Sequence, residues 1–443
     1  MILALLIAAG MVGIVAHQTR WQLDGMKDPR MVRFLRRYDR GDAARKLPAR
    51  GSIFGRTDAV LAAPADGTWR RVYPLGAAGV HPIGYFDRVN GLTGCERVLD
   101  SQLSLSSDPV RLSLDAVVQR KAYELMKGRS GAVVVMRPTT GRILALVSSP
   151  GFDPNHPSSA YEIADAPLLN RPLSGLYAPG STFKLFVAAA ALSKGLDPVY
   201  DCPAGGYSPA PNTPPIRDSE AAAAERAGRV WRGWGKLGMD EALAHSSNVY
   251  FARLAVALGA KDFNEFALQS RLRDGVGVLR SGGYSLDSAN CGIPDVRRDV
   301  EMAQPGIGQG SLMMTPLAVA MLTAAIANDG VIAEPTLSAT AESVLRSRPF
   351  TMAAANRVKR AMRLAVVKGT ARACDIKGLD VCAKTGTAQT GRAADHAWFT
   401  CLAPEKNPKV VVTVLVEHGG FGADAALPIA RSLLLECKRQ DIL

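Results

Sequence analysis

The 443-residue chain offers little to a metal ion or a redox cofactor. Its six histidines (His17, His81, His156, His245, His396, His418) are scattered, and none stands at a zinc-ligand spacing from another. Its seven cysteines (Cys95, Cys202, Cys291, Cys374, Cys382, Cys401, Cys437) include no Cys-x-x-Cys pair, and an odd number cannot all pair within one chain. Cys374 and Cys382 flank Lys377-Gly378, a turn signal, so a hairpin disulfide between them is one expectation. Chemistry is expected to run on side chains alone, with no metal and no cofactor. Acids are scarce too: 40 Asp and Glu against 53 Lys and Arg leave a net charge of +13. Such an excess suits nucleic acid or an anionic surface, and the lack of any recognisable nucleic-acid module argues against the first.

Charge is also missing from the start of the chain. Residues 1–16 carry no charged side chain and are almost wholly apolar. As a helix they span roughly 24 Å at about 1.5 Å per residue, somewhat short of the ~30 Å hydrocarbon core. Residues 1–18 are therefore read as a single-pass transmembrane anchor. A cleaved signal peptide is the alternative, although no small-x-small site precedes His17 and no basic leader precedes Ile2. Residues 20–56 then hold eleven Lys and Arg against four acids, which suits anionic headgroups or an acidic polymer. These cations follow the anchor, which by the positive-inside rule points the wrong way. A catalytic body outside the cytoplasm is expected instead from the chemistry of the motifs below.

The length fits two or three domains, and 47% apolar content supports a large core. Residues 19–114 read as a small platform of short strands and turns. From 115 onward, a helix over 116–127 capped by Ser113 or Asp115 precedes a strand at 131–136, the turn Pro138-Thr139-Thr140-Gly141 and a strand at 143–147. Three further strands are expected at 381–389, 397–402 and 410–416. The middle is helical: 183–191, then 240–258 ending at Gly259, then a helix opened by Thr315-Pro316 and running to about 328. Residues 203–235, rich in Pro, Gly and Ala and carrying Trp231 and Trp234, read as a long surface excursion. Hairpin-rich ends around a helical middle predict an α+β domain over 115–443, in which the first and last strands meet in one antiparallel sheet covered by helices.

Three short patterns occur in a fixed order. In Ser181-Thr182-Phe183-Lys184, the breaker Ala178-Pro179-Gly180 puts Ser181 in the first helical turn, where free amides favour developing negative charge. A spacing of three sets Lys184 on the same face. A neutral lysine there could take the serine proton. The plainer reading is a capping serine and a solvated lysine, but Phe183, Leu185, Phe186 and Val187 surround that lysine with apolar side chains. In Ser246-Ser247-Asn248, within a predicted helical run, Ser246 can relay a proton and the Asn248 amide can hold a substrate amide. Adjacent His245 reads as structural. In Lys384-Thr385-Gly386-Thr387, on a predicted strand, Gly386 admits a neighbouring backbone, Lys384 supplies charge, and the hydroxyls of Thr385 and Thr387 can bind a carboxylate. The amides of Ser181 and Thr387 could form an oxyanion hole.

The ordered set resembles the class B penicillin-binding proteins, the monofunctional D,D-transpeptidases of bacterial cell-wall synthesis. The resemblance runs from about Arg50 to the end. It takes in Arg50-Gly51, His81-Pro82-Ile83-Gly84-Tyr85, Gly141-Arg142-Ile143-Leu144-Ala145, Pro150-Gly151-Phe152-Asp153-Pro154-Asn155, Asn170-Arg171, Gly308-Gln309-Gly310 and Thr315-Pro316-Leu317. It implies the penicillin-binding/serine β-lactamase-like transpeptidase fold. It also implies that Ser181 attacks the penultimate D-Ala carbonyl of a stem pentapeptide, with Lys184 as base, Ser246 as relay and Asn248 as amide clamp. Lys384, Thr385 and Thr387 would hold the terminal carboxylate. It implies acylation by β-lactams, and a SEDS-family glycosyltransferase as partner of the anchor and platform.

Two departures stand out: Gly55 where the platform motif usually has an acid, and a short platform. A β-lactamase would need an efficient deacylating group. None of Glu265, Glu301, Glu334 or Glu342 has the Asn four positions on that class A enzymes use, and Asn248 differs from the Val usual in class D. A non-catalytic activator of the polymerase is a further alternative, and the balance between transpeptidation and D,D-carboxypeptidation is open.

Overall fold

The computed structural model describes residues 50–65, 70–106, 108–391 and 393–443. The expected anchor lies outside these residues. Among the described residues no helix is long and apolar enough to cross a membrane.

The N-terminal region builds a four-stranded sheet from β1 (Ile53–Phe54), β2 (Val60–Pro64), β3 (Arg71–Val72) and β4 (Val110–Arg111), ordered β3-β2-β1-β4. A buried carboxylate organises it. Glu96 accepts from Arg50 Nε at 2.7 Å and from Arg71 Nη2 at 2.6 Å, and Arg71 also donates to the Gly51 carbonyl. A buried charge needs such full pairing to be tolerated.

Two hairpin-forming runs and one late strand make the second sheet: β5 (Gly131–Met136), β6 (Ile143–Ser149), β7 (Cys382–Ala388), β8 (His396–Ala403) and β9 (Val410–Val416). Its order is β7-β8-β9-β5-β6, antiparallel throughout. The β9–β5 pairing joins the two ends of the chain's catalytic half, as the hairpin-rich ends predict. Strands β5 and β9, in the middle of the sheet, are almost continuously apolar rather than alternating because both faces are covered. Ala132, Val134 and Met136 enter one core and Val133 and Val135 the other.

The Asp115 carboxylate accepts from the amides of Val117 and Val118 and so caps α1 (Ala116–Leu125), which packs on one face with the C-terminal helix α7 (Leu427–Arg439). On the other face lie α2 (Lys184–Ser193), α4 (Asn248–Ser270) and α5 (Pro316–Ala327). Helix α5 starts where Thr315-Pro316 predicts, with the Thr315 hydroxyl accepting from Ala318 N, and all twelve of its residues are buried. A helix apolar on every face, with Thr323 as its one polar side chain, can only sit inside. Its Thr323 hydroxyl continues into Thr400 and Thr413 on the sheet at 2.7 and 2.8 Å, so three buried hydroxyls satisfy one another.

Three expectations need correction. The expected helix over 240–258 is two helices, α3 (Met239–His245) and α4, broken at Ser246-Ser247, and α4 continues past Gly259 through a kink. The helix opened by Ser181 begins as a 3-10 turn, Gly180–Phe183. Cys374 and Cys382 form no disulfide: both are buried free thiols. Their side chains join opposite cores, Cys382 with the α2/α4/α5 face and Cys374 with Cys401 and Cys437 on the α1/α7 face, so the sheet stands between them.

Candidate active site

Three elements converge at the β7 edge of the sheet. The first is the turn carrying Ser181. Gly180 has φ +53°, and a Cβ there would collide with the Thr387 carbonyl. A Cβ on Gly386 would press on Thr182 and on Trp398. Both glycines are therefore needed for the Ser181 turn to lie flat against β7. The Trp398 indole on β8 donates to the Ala178 carbonyl at 3.0 Å, and Gly180 N donates to the Gly308 carbonyl, so the turn is tied from both sides. The Thr387 carbonyl faces this turn, and in a strand a residue's N–H points the same way as its C=O.

The second element is the break between α3 and α4. Ser246 ends α3 in the left-handed region at φ 60°, uncommon for a residue with a Cβ and a mark of over-determined sites. Ser247 caps α4, its hydroxyl accepting from Tyr250 N at 3.1 Å. Asp218, buried, accepts from the amides of Asn248 and Val249 and from the Ser247 hydroxyl. A carboxylate at a helix N-terminus is favoured by both the free amides and the dipole. This residue fixes the whole second motif, and nothing in its own local pattern points to that role. It sits in the Pro/Gly-rich excursion, which folds as a strand pair (Tyr200–Pro203 with Gly233–Leu237) around a helix at Ser219–Arg226.

The third element is the pair of buried lysines. Lys184 Nζ reaches the Ser246 carbonyl at 2.6 Å, Asn248 Oδ1 at 2.7 Å and Ser246 Oγ at 3.3 Å. Lys384 Nζ reaches Ser246 Oγ at 2.7 Å and the Thr385 carbonyl at 2.9 Å. One hydroxyl thus links the cations of the first and third motifs. Burial pushes the Lys184 ammonium down to about 7, against the opposing pull of Asp218 and Glu220. Burial, and then the charge of Lys184, hold Lys384 well below its ordinary range. Two ammoniums sharing one dry hydroxyl disfavour double protonation.

Ser181, Ser246, Asn248, Thr385, Gly386 and Thr387 line one cleft of about 600 Å³. The Thr385 hydroxyl is paired with Thr370 at 2.8 Å, a contact no local pattern announces. His245 also lines the cleft, but its ring stacks on Trp234 at 4.1 Å between centroids and lies 3.5 Å from Glu241, an orienting environment.

The arrangement agrees with the comparisons. Residues 131–435 match the model of the penicillin-binding protein transpeptidase domain. The chain is similar to the peptidoglycan D,D-transpeptidase PbpA of Mycolicibacterium smegmatis, 30% identical over 94% of this chain and 93% of that protein. Among solved structures it resembles the D,D-transpeptidase domain of a peptidoglycan glycosyltransferase from Eggerthella lenta (TM-score 0.75, 30% identity, 89% of this chain and 100% of that one). It also resembles the penicillin G acyl-enzyme complex of penicillin-binding protein A from M. tuberculosis (TM-score 0.77, 26% identity, 88% and 100%). The chain belongs to the penicillin-binding protein transpeptidase family, as a class B member and a serine-type D-Ala-D-Ala transpeptidase.

Proposed function

We propose that the chain cross-links peptidoglycan stem peptides through an acyl-enzyme on Ser181. The observation that carries this is Ser246 Oγ, which stands within hydrogen-bond distance of both Lys184 and Lys384 in the cleft that Ser181 lines. A neutral Lys184 amine has two N–H donors for the Ser246 carbonyl and Asn248 Oδ1, and one lone pair left for a hydroxyl proton. In acylation Ser181 Oγ bonds the penultimate D-Ala carbonyl carbon and its proton passes to Lys184. The amides of Ser181 and Thr387 receive the oxyanion. The C–N bond to the terminal D-Ala then breaks, and its amine takes a proton returned through Ser246. An amine of a neighbouring stem next attacks the ester, its proton goes to Lys184, and Ser181 is regenerated. The asparagine amide of Asn248 aligns the donor strand.

Lys384, Thr385 and Thr387 receive the terminal carboxylate. An opposite charge favours the ammonium, so substrate binding restores the charge that burial removes from Lys384. A β-lactam offers the same carboxylate and a strained amide, and acylates Ser181. Consistent with a cell-wall substrate, residues 1–18 anchor the chain once in the bacterial cytoplasmic membrane, with residues 115–443 on the extracytoplasmic side. The platform over 19–114 and the anchor then meet a SEDS-family glycosyltransferase that supplies nascent glycan.

The test is direct. Benzylpenicillin should add its mass to the peptide containing Ser181, and pentapeptide-bearing glycan should yield cross-linked dimers. An unmodified Ser181 after exposure to the drug would sink the reading; tetrapeptide monomers without dimers would reassign the activity to D,D-carboxypeptidation.

A further inference from the structure

Far from the cleft, the junction of the two sheets holds a second cluster of cations. Arg56 follows β1, Arg111 ends β4, Arg137 follows β5 and Arg142 precedes β6. All four line one cavity of about 410 Å³, together with Gly55 and Ser113, and no acid is among the described side chains that line it. The chain folds them together for local reasons. Arg137 N donates to the Arg142 carbonyl at 2.9 Å, closing the β5–β6 turn, and Arg56 N donates to the Leu114 carbonyl at 2.8 Å.

Two of the four are neutralised. Arg56 donates to the Asp115 carboxylate at 2.8 Å, and that carboxylate is nearly fully buried and already committed to the α1 cap. Arg111 pairs with Asp58 at the exposed rim. The other two have no carboxylate among the described residues. Arg142 keeps only a long contact, 3.5 Å, to the Ala341 carbonyl, and its Nε is buried with no hydrogen-bond partner. Burial, and then the neighbouring charges of Arg56 and Arg142, weaken the hold of Arg137 on its proton. A guanidinium does not escape by deprotonating. Among the described residues two guanidiniums therefore face one cavity without a compensating carboxylate, and a buried donor left unpaired, as Arg142 Nε is, is costly.

We propose that this cavity binds a dianionic phosphate or diphosphate group. The residual charge of two matches a dianion, and planar guanidinium forks suit tetrahedral oxyanions with several acceptor oxygens. The volume leaves room for a diphosphate and the start of a substituent. The group can arrive free in solution or at the head of a lipid; the chemistry recognised is the same. The site lies at the β6 edge of the sheet, opposite the β7 edge where the cleft opens, and it stands independently of the reaction assigned to that cleft.

The test uses the full chain and two probes, inorganic pyrophosphate and dodecyl diphosphate, titrated calorimetrically and by thermal melting at fixed ionic strength with chloride as control. Pyrophosphate should bind and raise the melting temperature. Arg137→Gln and Arg142→Gln should each weaken it about tenfold, the scale of one charged hydrogen bond. Both variants should take up fluorescent penicillin as the parent does. In anion-free buffer they should melt no lower than the parent, because they relieve repulsion. Tighter binding of dodecyl diphosphate identifies a lipid-borne group; equal or weaker binding identifies a free anion, and either supports the site. The proposal is overturned if pyrophosphate binds no better than chloride or binds both variants like the parent. It is also overturned if the variants melt well below the parent without anion, which would make the arginines structural.

Discussion

Opposite edges of one sheet carry clustered cations, fully buried at one edge and partly exposed at the other, and the two clusters differ in the kind of cation. At the β7 edge two lysines, Lys184 and Lys384, share the Ser246 hydroxyl and fill their remaining donors with carbonyl oxygens. At the β6 edge four arginines surround a cavity with two carboxylates between them. Desolvation acts on both. A lysine answers it by releasing a proton, which leaves a lone pair suited to general-base chemistry. An arginine keeps its charge and instead demands an anion. Clustering of positive charge thus makes a reactive site in one place and a receptor in the other, and the choice of side chain decides which.

The sharpest way to break the comparison is to remove the group the lysines serve. Ser181→Ala should abolish penicillin labelling and cross-linking, a loss of at least about 10⁴-fold in acylation rate, measured by stopped-flow or mass spectrometry. Next, Lys184→Arg imports the chemistry of the other edge. The charge stays, the lone pair goes, and acylation should fall by about 10²–10⁴-fold, while binding of the β-lactam before acylation changes far less. A variant that acylates at the parental rate would remove Lys184 from the role of base.

The pH dependence sharpens the same point. With Lys184 near 7, the acylation rate of the parent should climb with pH up to about 7 and level off above it. Stability follows the same group with a definite sign. The folded amine is neutral above about 7, whereas the unfolded one keeps its proton up to 10.5. The unfolded state therefore binds more protons in that window, and stability should rise with pH across it. Denaturant titrations of Lys184→Met should show a flatter slope there; an unchanged slope would mean that Lys184 is charged in the fold.

A smaller effect is expected at Asp218. Asp218→Asn keeps the size and loses the charge that gathers the Asn248 and Val249 amides and the Ser247 hydroxyl. Stability should drop by about 1–3 kcal/mol, and acylation should fall by about tenfold as the Ser246 turn loosens. An effect on stability alone would make Asp218 a helix cap without a positioning role. The smallest effect belongs to Arg137→Gln, which should leave penicillin acylation within about twofold of the parent, as a site on the opposite edge of the sheet requires.

Much of this was legible in the sequence because the signals are local. Thr315-Pro316 names the start of α5, since cap and first-turn chemistry are set by adjacent residues. The continuous apolar runs at β5 and β9 name doubly covered strands. Ser181, Lys184, Ser246, Asn248, Lys384, Thr385, Gly386 and Thr387 were nameable because their order and spacing carry the family's chemistry. The misreadings are equally instructive. The apolar spacing continues through residues 240–258 and outweighed the cap-type residues Ser246-Ser247-Asn248, which by themselves also allow an interruption; the break is held open by Asp218, about thirty residues away in the chain. Cys374 and Cys382 looked like partners across a turn because sequence distance does not tell on which face of a sheet a side chain falls.

By itself the sequence determined which groups are available and which segments form: a serine, two lysines, an asparagine and a glycine-bearing strand, each within an element its neighbours specify. Tertiary structure alone decided that both ammoniums meet one hydroxyl, that Asp218 and Thr370 support it, and that four arginines from four separate segments face a single cavity. The physical reason is range. Propensity and capping act over a few residues, while desolvation and charge pairing depend on what packing brings within a few ångströms, and only the folded chain sets that.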